Sequence, residues 1–168
     1  GSAFKKIYYD ETLGRAVSKF VAPEDLIVPY YTTDLESCPR ITHVVKMPEN
    51  EVKKLQAIGF YRDVEIEYGD DKQYSDVDTE KEKLEGIEPG YDDGEVSVLY
   101  EVHCNLDLEG FEDMAEDGEP TGVKLPYIVT IDSNSDSILA IRRNYKEEDP
   151  MRVKTEYFVH FKFLPGLG

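Results

Sequence analysis

Short apolar runs rich in strand formers recur along this chain, one long stretch alternates apolar and polar positions, and another keeps the helical period. Residues 16–31 (AVSKFVAPEDLIVPYY) carry two apolar runs around Pro23-Glu24-Asp25, where proline sets φ for a bend. They predict a strand, a turn and a second extended segment ending at Pro29. Asp34 opens a short helical turn over 35–38, closed by Pro39, and the run 41–47 (ITHVVKM) predicts a strand. The helix is expected over 48–59. Pro48 suits its first turn, and Glu49 and Glu51 complement the positive end of its dipole. Val52, Leu55 and Ile58 recur at helical spacing, and Gly59 offers the residue just past the end.

Residues 60–94 are polar, with a second, weakly apolar helix expected around 78–84 (DTEKEKL), where Thr79 and Glu82 have capping-box spacing. The Gly-Asp-Asp and Asp-Asp-Gly stretches at 69–71 and 92–94 mark loops. From residue 95 the pattern turns to strands: 96–108 (VSVLYEVHCNLDL), 125–131 (LPYIVTI), 138–145 (ILAIRRNY) and 154–164 (KTEYFVHFKFL). The last should place Tyr157, Val159 and Phe161 on one face. Acidic, glycine-bearing residues 109–123, the turn 132–137 (DSNSDS) and the charged loop 146–153 separate them. The sum is an α+β chain: an antiparallel meander of three or four strands, one clear amphipathic helix, and an acidic, loop-rich middle segment. As an organisation this gives a start at 1–3, a strand-turn-strand plus helix unit at 4–62, an acidic segment at 63–94 and the meander at 95–168, all parts of one domain. Gly1-Ser2 is expected to be a tag remnant.

Charge changes the picture most. The chain carries 19 Lys and Arg against 36 Asp and Glu, a net of −17. Residues 63–119 hold 22 acids and 3 bases, so the acidity is concentrated there and the flanks are nearly balanced. Such a segment repels a phosphate backbone, which is gripped by Lys and Arg, and attracts a basic partner. No direct grip on DNA is expected. No apolar run approaches the ~20 residues that span a bilayer, so no membrane partner is expected either. Two cysteines, Cys38 and Cys104, far apart in sequence, make no disulfide framework and are expected to be reduced.

Candidate chemistry is thin. His43, His103 and His160 each fall in a predicted strand at long separations, without the short paired spacings of zinc sites, and are expected to be ordinary sheet histidines. Asp132-Ser133-Asn134-Ser135-Asp136 resembles the start of a calcium loop, but Ser137 and Arg143 stand where glycine and a bidentate glutamate are needed, so a hairpin turn is expected. Arg142 and Arg143, with Lys146 near, are adjacent on a strand and point to opposite faces, which favours salt-bridging over a nucleic-acid patch. Carboxylates are abundant, but on solvated loops they keep near-normal pKa values, and no nucleophile elbow, phosphate loop or dinucleotide fingerprint is present. No enzyme activity is expected, and no catalytic, cofactor-binding or metal-binding residues are assigned.

Several runs, taken in order, resemble one family. Val21-Ala22-Pro23-Glu24-Asp25-Leu26 is similar to a stretch of podovirus-type tailed-bacteriophage portal proteins. Arg40-Ile41-Thr42-His43, then Glu51-Val52-Lys53-Lys54-Leu55 and Gly59-Phe60-Tyr61-Arg62-Asp63-Val64, resemble the next segment of those proteins. Leu125 to Asp132, Ile141-Arg142-Arg143-Asn144 and Tyr157 through Gly168 continue the likeness in the same order. The resemblance covers nearly the whole chain and is weakest across 69–94. It implies a structural fragment of a portal, the head–tail connector ring at one capsid vertex of the virion, through which DNA is packaged and ejected. The implied partners are other portal subunits, typically in a dodecamer, and the major capsid protein. Terminase and head–tail connector proteins would be met through regions outside this fragment. Assembly would take place in the bacterial host cytoplasm. A β-rich piece before the stem helices resembles the wing region, and the apolar, glycine-rich end at 163–168 is expected to be a cut through a continuing chain. The competing readings are an acidic module that recognises a basic protein and a metal-assisted hydrolase using the acids of the middle segment.

Overall fold

Lys5 to Tyr9 alternate outward and inward, and residues 15–21, of which Val17 and Val21 are turned in, pair with them as a hairpin. In the computed structural model, which describes residues 2–10, 13–68 and 96–162, β1 (Ser2–Asp10) pairs antiparallel with β2 (Arg15–Val21). Gly14, at φ 62°, supplies the left-handed residue where the chain re-enters β2. Ser2, grouped with the tag remnant on sequence grounds, is thus the first paired residue of a strand, opposite Lys162. Pro23–Asp25 forms a single 3-10 turn, as its proline suggests, and delivers the chain to β3 (Leu26–Ile27). Residues 35–38 do not form a helical turn. Asp34 instead accepts the backbone N–H of Ser37 at 2.7 Å, and Cys38 N–H reaches Leu35 O at 3.3 Å, so a side-chain-closed turn takes the helix's place.

β4 (Arg40–Pro48) runs directly into α1 (Glu49–Ala57), with Pro48 as the extended residue just before the helix. Gly59, at φ 75°, ends the helix in the expected position. Val52 is 0 % exposed and Leu55 half-buried, but Ile58 is 73 % exposed, because it stands past the last turn where the chain has already left the sheet. Gln56 then fixes the return path by donating to Arg62 O and Val64 O. The second helix expected over 78–84, the loops at 69–71 and 92–94, and the tail at 163–168 lie outside the described residues.

β5 (Val96–Leu106), β6 (Leu125–Asp132) and β7 (Ile138–Arg143) form the meander. Its sheet has the order β3-β4-β5-β6-β7, antiparallel throughout. The last strand, β8 (Phe158–Lys162), leaves the meander and pairs with β1, giving a second sheet β2-β1-β8. The strands of the first and last segments are therefore interleaved. On β8 the buried residue is Phe158, and Val159 and His160 are exposed, while Tyr157, just before the strand, packs against the same core.

The register divides the five-stranded sheet into two faces. Ile41, His43, Val45 and Met47 share the inner face with Leu99, Glu101, His103, Thr130 and Asp132. Two cores form on it. Val52 and Tyr61 pack with Ile66, Leu99, Leu139 and Ala140 under α1, and Val21, Leu26, Cys38, Ile41 and Phe158 pack between the two sheets. A register shift at Thr130/Ile131 leaves Leu139 as an extra residue on β7. This bulge lets Leu139 and Ala140 both enter the first core.

Candidate functional site

Between the two sheets lies a cluster of charged and titratable side chains. Lys6 comes from the inner face of β1, Glu101 and His103 from successive inward positions of β5, and His43 from β4 directly opposite Glu101. Lys6 Nζ meets Glu101 Oε1 at 2.6 Å, and His103 Nε2 lies 2.7 Å from the same oxygen. The Phe158 ring stands edge-on to both imidazoles, with centroids 5.6 Å from His43 and 5.1 Å from His103. Lys6 also lies over the Phe158 and Tyr8 rings. Burial alone would raise the Glu101 pKa, but the hydrogen bond from His103 and the charge of Lys6 outweigh it and bring it to about 2. His43 is pushed down to about 4, first by burial and then by Lys6. Its Nδ1 is buried without a hydrogen-bond partner among the described residues. Burial and the nearby Glu101 charge push the Tyr157 hydroxyl up.

A second inward carboxylate is Asp132, fully enclosed at the end of β6. Ser97 Oγ donates to it at 2.8 Å, Ser135 Oγ at 2.6 Å and the Ser135 N–H at 3.0 Å. These donors, Ser135 first, overcome the cost of burial and hold its pKa below the usual range. The D-S-N-S-D run is thus the turn of the β6–β7 hairpin, with its leading carboxylate turned inward and saturated. Arg142 and Arg143 do point to opposite faces. The Arg142 guanidinium stacks 3.5 Å from the Phe60 ring centroid and donates to Phe60 O, and Arg143 pairs with Glu147 at 3.2 Å. His160 stacks on Phe4 away from the other two histidines' cluster. Among the described residues, no group of three or more His, Cys, Asp or Glu side chains converges to hold a metal ion.

Cys38 and Cys104 are free thiols on the rim of one cavity of about 20 Å³, which has room for about one water and no organic substrate. Cys38 Sγ donates to Arg40 O at 3.0 Å. Burial pushes the Cys104 thiol pKa up, which lowers its reactivity.

The outer face of the five-stranded sheet is the feature the sequence did not announce. Two cross-strand rows cover it: Ile27, Thr42, Val102, Val129 and Ile141, then Val44, Tyr100, Ile131 and Ile138. Tyr100, Ile138 and Ile141 are 37 %, 38 % and 45 % exposed, and Val44, Val102 and Ile131 are half-buried. Val129, at the centre of the first row, is buried, as is Tyr127 on the same face, where the Tyr145 ring meets it. The signal was available as alternation in which both faces are apolar, the mark of a sheet covered on two sides. Beyond one end of this sheet, residues 107–119 carry seven carboxylates and no Lys or Arg, with Phe111 and Met114 exposed among them. Among the described residues no helix is long and apolar enough to cross a membrane. No protein-family model matches this sequence, and a search of curated proteins returns no significant match.

Proposed function

We propose that this chain is a structural piece of a phage portal subunit, wing-like in position, and that its outer sheet face meets a neighbouring subunit of the ring. The reading joins the ordered sequence resemblance to one observation, a row of side chains that crosses five strands beside an apolar row that crosses four, with Ile27, Tyr100, Ile138 and Ile141 exposed along them. Strands ~4.8 Å apart and two rows about 7 Å apart give a patch of roughly 300–400 Å². That equals the largest apolar patches found on monomers, which are commonly functional. It is about half of one partner's share of a standard interface, so ring contacts elsewhere would supply the rest. The chemistry favours a scaffold: the half-buried Glu101 is held at one oxygen by Lys6 and His103, and the buried Asp132 is held at both oxygens by Ser97 and Ser135. DNA, terminase and capsid protein would be met by the whole ring.

Mass photometry and electron microscopy of the full-length parent protein test this. Rings of about twelve copies are expected, and Tyr100→Glu with Ile141→Glu should shift them to monomers. A parent that stays monomeric, or a double variant that forms rings as well, refutes it. A second reading, an acidic module for a basic protein, is favoured by the carboxylate-rich 107–119 loop with its exposed Phe111 and Met114. It predicts binding to a basic partner that weakens steeply with salt.

A further inference from the structure

We propose that the Lys6, Glu101, His103 and His43 cluster is an acid-responsive latch, holding the β2-β1-β8 sheet on the five-stranded sheet and releasing it first when the medium acidifies. The geometry carries this. One Glu101 oxygen is shared by Lys6 of β1 and His103 of β5, so one carboxylate ties the sheets together. His43 faces that same pair from β4, with Lys6 and, more weakly, Lys19 of β2 as neighbouring positive charges and His103 as a further cation when protonated. Glu101 attracts a charged His43, but its charge is already matched. β8 contributes the uncharged Phe158 to the contact, and Tyr157 packs on His103. A proton on His43 therefore places another cation, poorly solvated and against the Phe158 edge, in the seam between the sheets. The core under α1 contains no histidine.

Linkage sets the sign. The folded pKa of His43, about 4, lies below its ordinary 6.5, so the separated state binds the proton more readily. The His43 contribution to the seam falls as pH drops from about 6.5 to about 4 and is level below that. The carboxylates yield later, since Glu101 is held at about 2 and Asp132 below its usual range. A window near pH 4–6 thus weakens one sheet contact selectively. The latch does not depend on membership in a ring.

Hydrogen exchange by mass spectrometry from pH 7 to pH 4.5, corrected for intrinsic rates, tests it on this chain, together with an NMR titration of the His43 ring. Protection in β1, β2 and β8 should fall by roughly 60-fold, with β6 and β7 unchanged. The His43 resonance should titrate near pH 4, and His43→Phe should remove the pH dependence. Loss of protection in both sheets together, a His43 midpoint near 6.5, or an unchanged pH response in His43→Phe each overturns the latch. Should His43→Phe fail to fold, the exchange and titration of the unaltered chain decide.

Discussion

Asp132→Asn is the sharpest probe of how this fold handles its charge. The carboxylate is 0 % exposed and its close donors include two from Ser135 and one from Ser97, beside the Asn134 N–H. Asparagine keeps the shape but turns one acceptor oxygen into an NH₂ group facing a donor. Hydrogen bonds to a charged acceptor contribute roughly 1.5–3 kcal/mol each, and one buried donor left unmatched costs about 1–3 kcal/mol. These bonds share one group and do not add, so a net loss of about 3 kcal/mol is expected. Against a typical total of about 5–15 kcal/mol this is large. With a urea m-value near 2 kcal/mol/M, the midpoint should fall by about 1.5 M at unchanged slope. Because the Asp132 pKa is held below 3.8, its contribution is fully present above that pH and disappears as pH falls through the lower folded value. The variant's loss should therefore vanish in strong acid. A shift under about 0.3 M at pH 7, or a rise in the unaltered protein's Tm with millimolar calcium, would refute the assignment of this carboxylate to the hairpin alone.

Four further changes probe the remaining supports. Val52→Ala, at a fully buried helix position, should cost about 2 kcal/mol in chemical denaturation. Glu101→Gln leaves Lys6 unmatched between the sheets and should cost about 3 kcal/mol, with Lys6→Met recovering part of it in the double variant. Arg142→Ala removes a guanidinium stacked on Phe60 and should lower stability by about 1 kcal/mol. Gly59→Ala forces a side chain into φ 75° and should cost about 1 kcal/mol, although open space surrounds the position.

Local features were legible where local physics decides them. β4, α1, β5, β6 and β7 announced themselves by period, caps and turn residues, and the 3-10 turn by Pro23. β1 escaped because it opens the chain and its Lys5-Lys6 pair breaks any simple apolar alternation. The partner of β8 was not legible at all, since periodicity identifies a strand but not its neighbour more than 150 residues away. The same limit hid the charge cluster. Lys6 and Glu101 are 95 residues apart, and nothing in either stretch names the other. A hint did exist, a single glutamate inside the long apolar run of β5. A charged residue on the inward side of such a strand requires a partner.

Acidity and structure are distributed with a purpose that the net charge conceals. Among the described residues, the half-buried Glu101 and the buried Asp132 both accept from donors and are held ionised, which makes them poor proton donors at neutral pH and good braces. The exposed carboxylates of the 107–119 loop are concentrated beyond the sheet, and the outer face between its edges presents Val, Ile and Tyr in two rows. A partner approaching this face meets shape and apolar area, and meets charge only at its margin. That ordering fits the proposed packing of like subunits, in which the apolar centre would supply attraction and the carboxylates at the margin orientation.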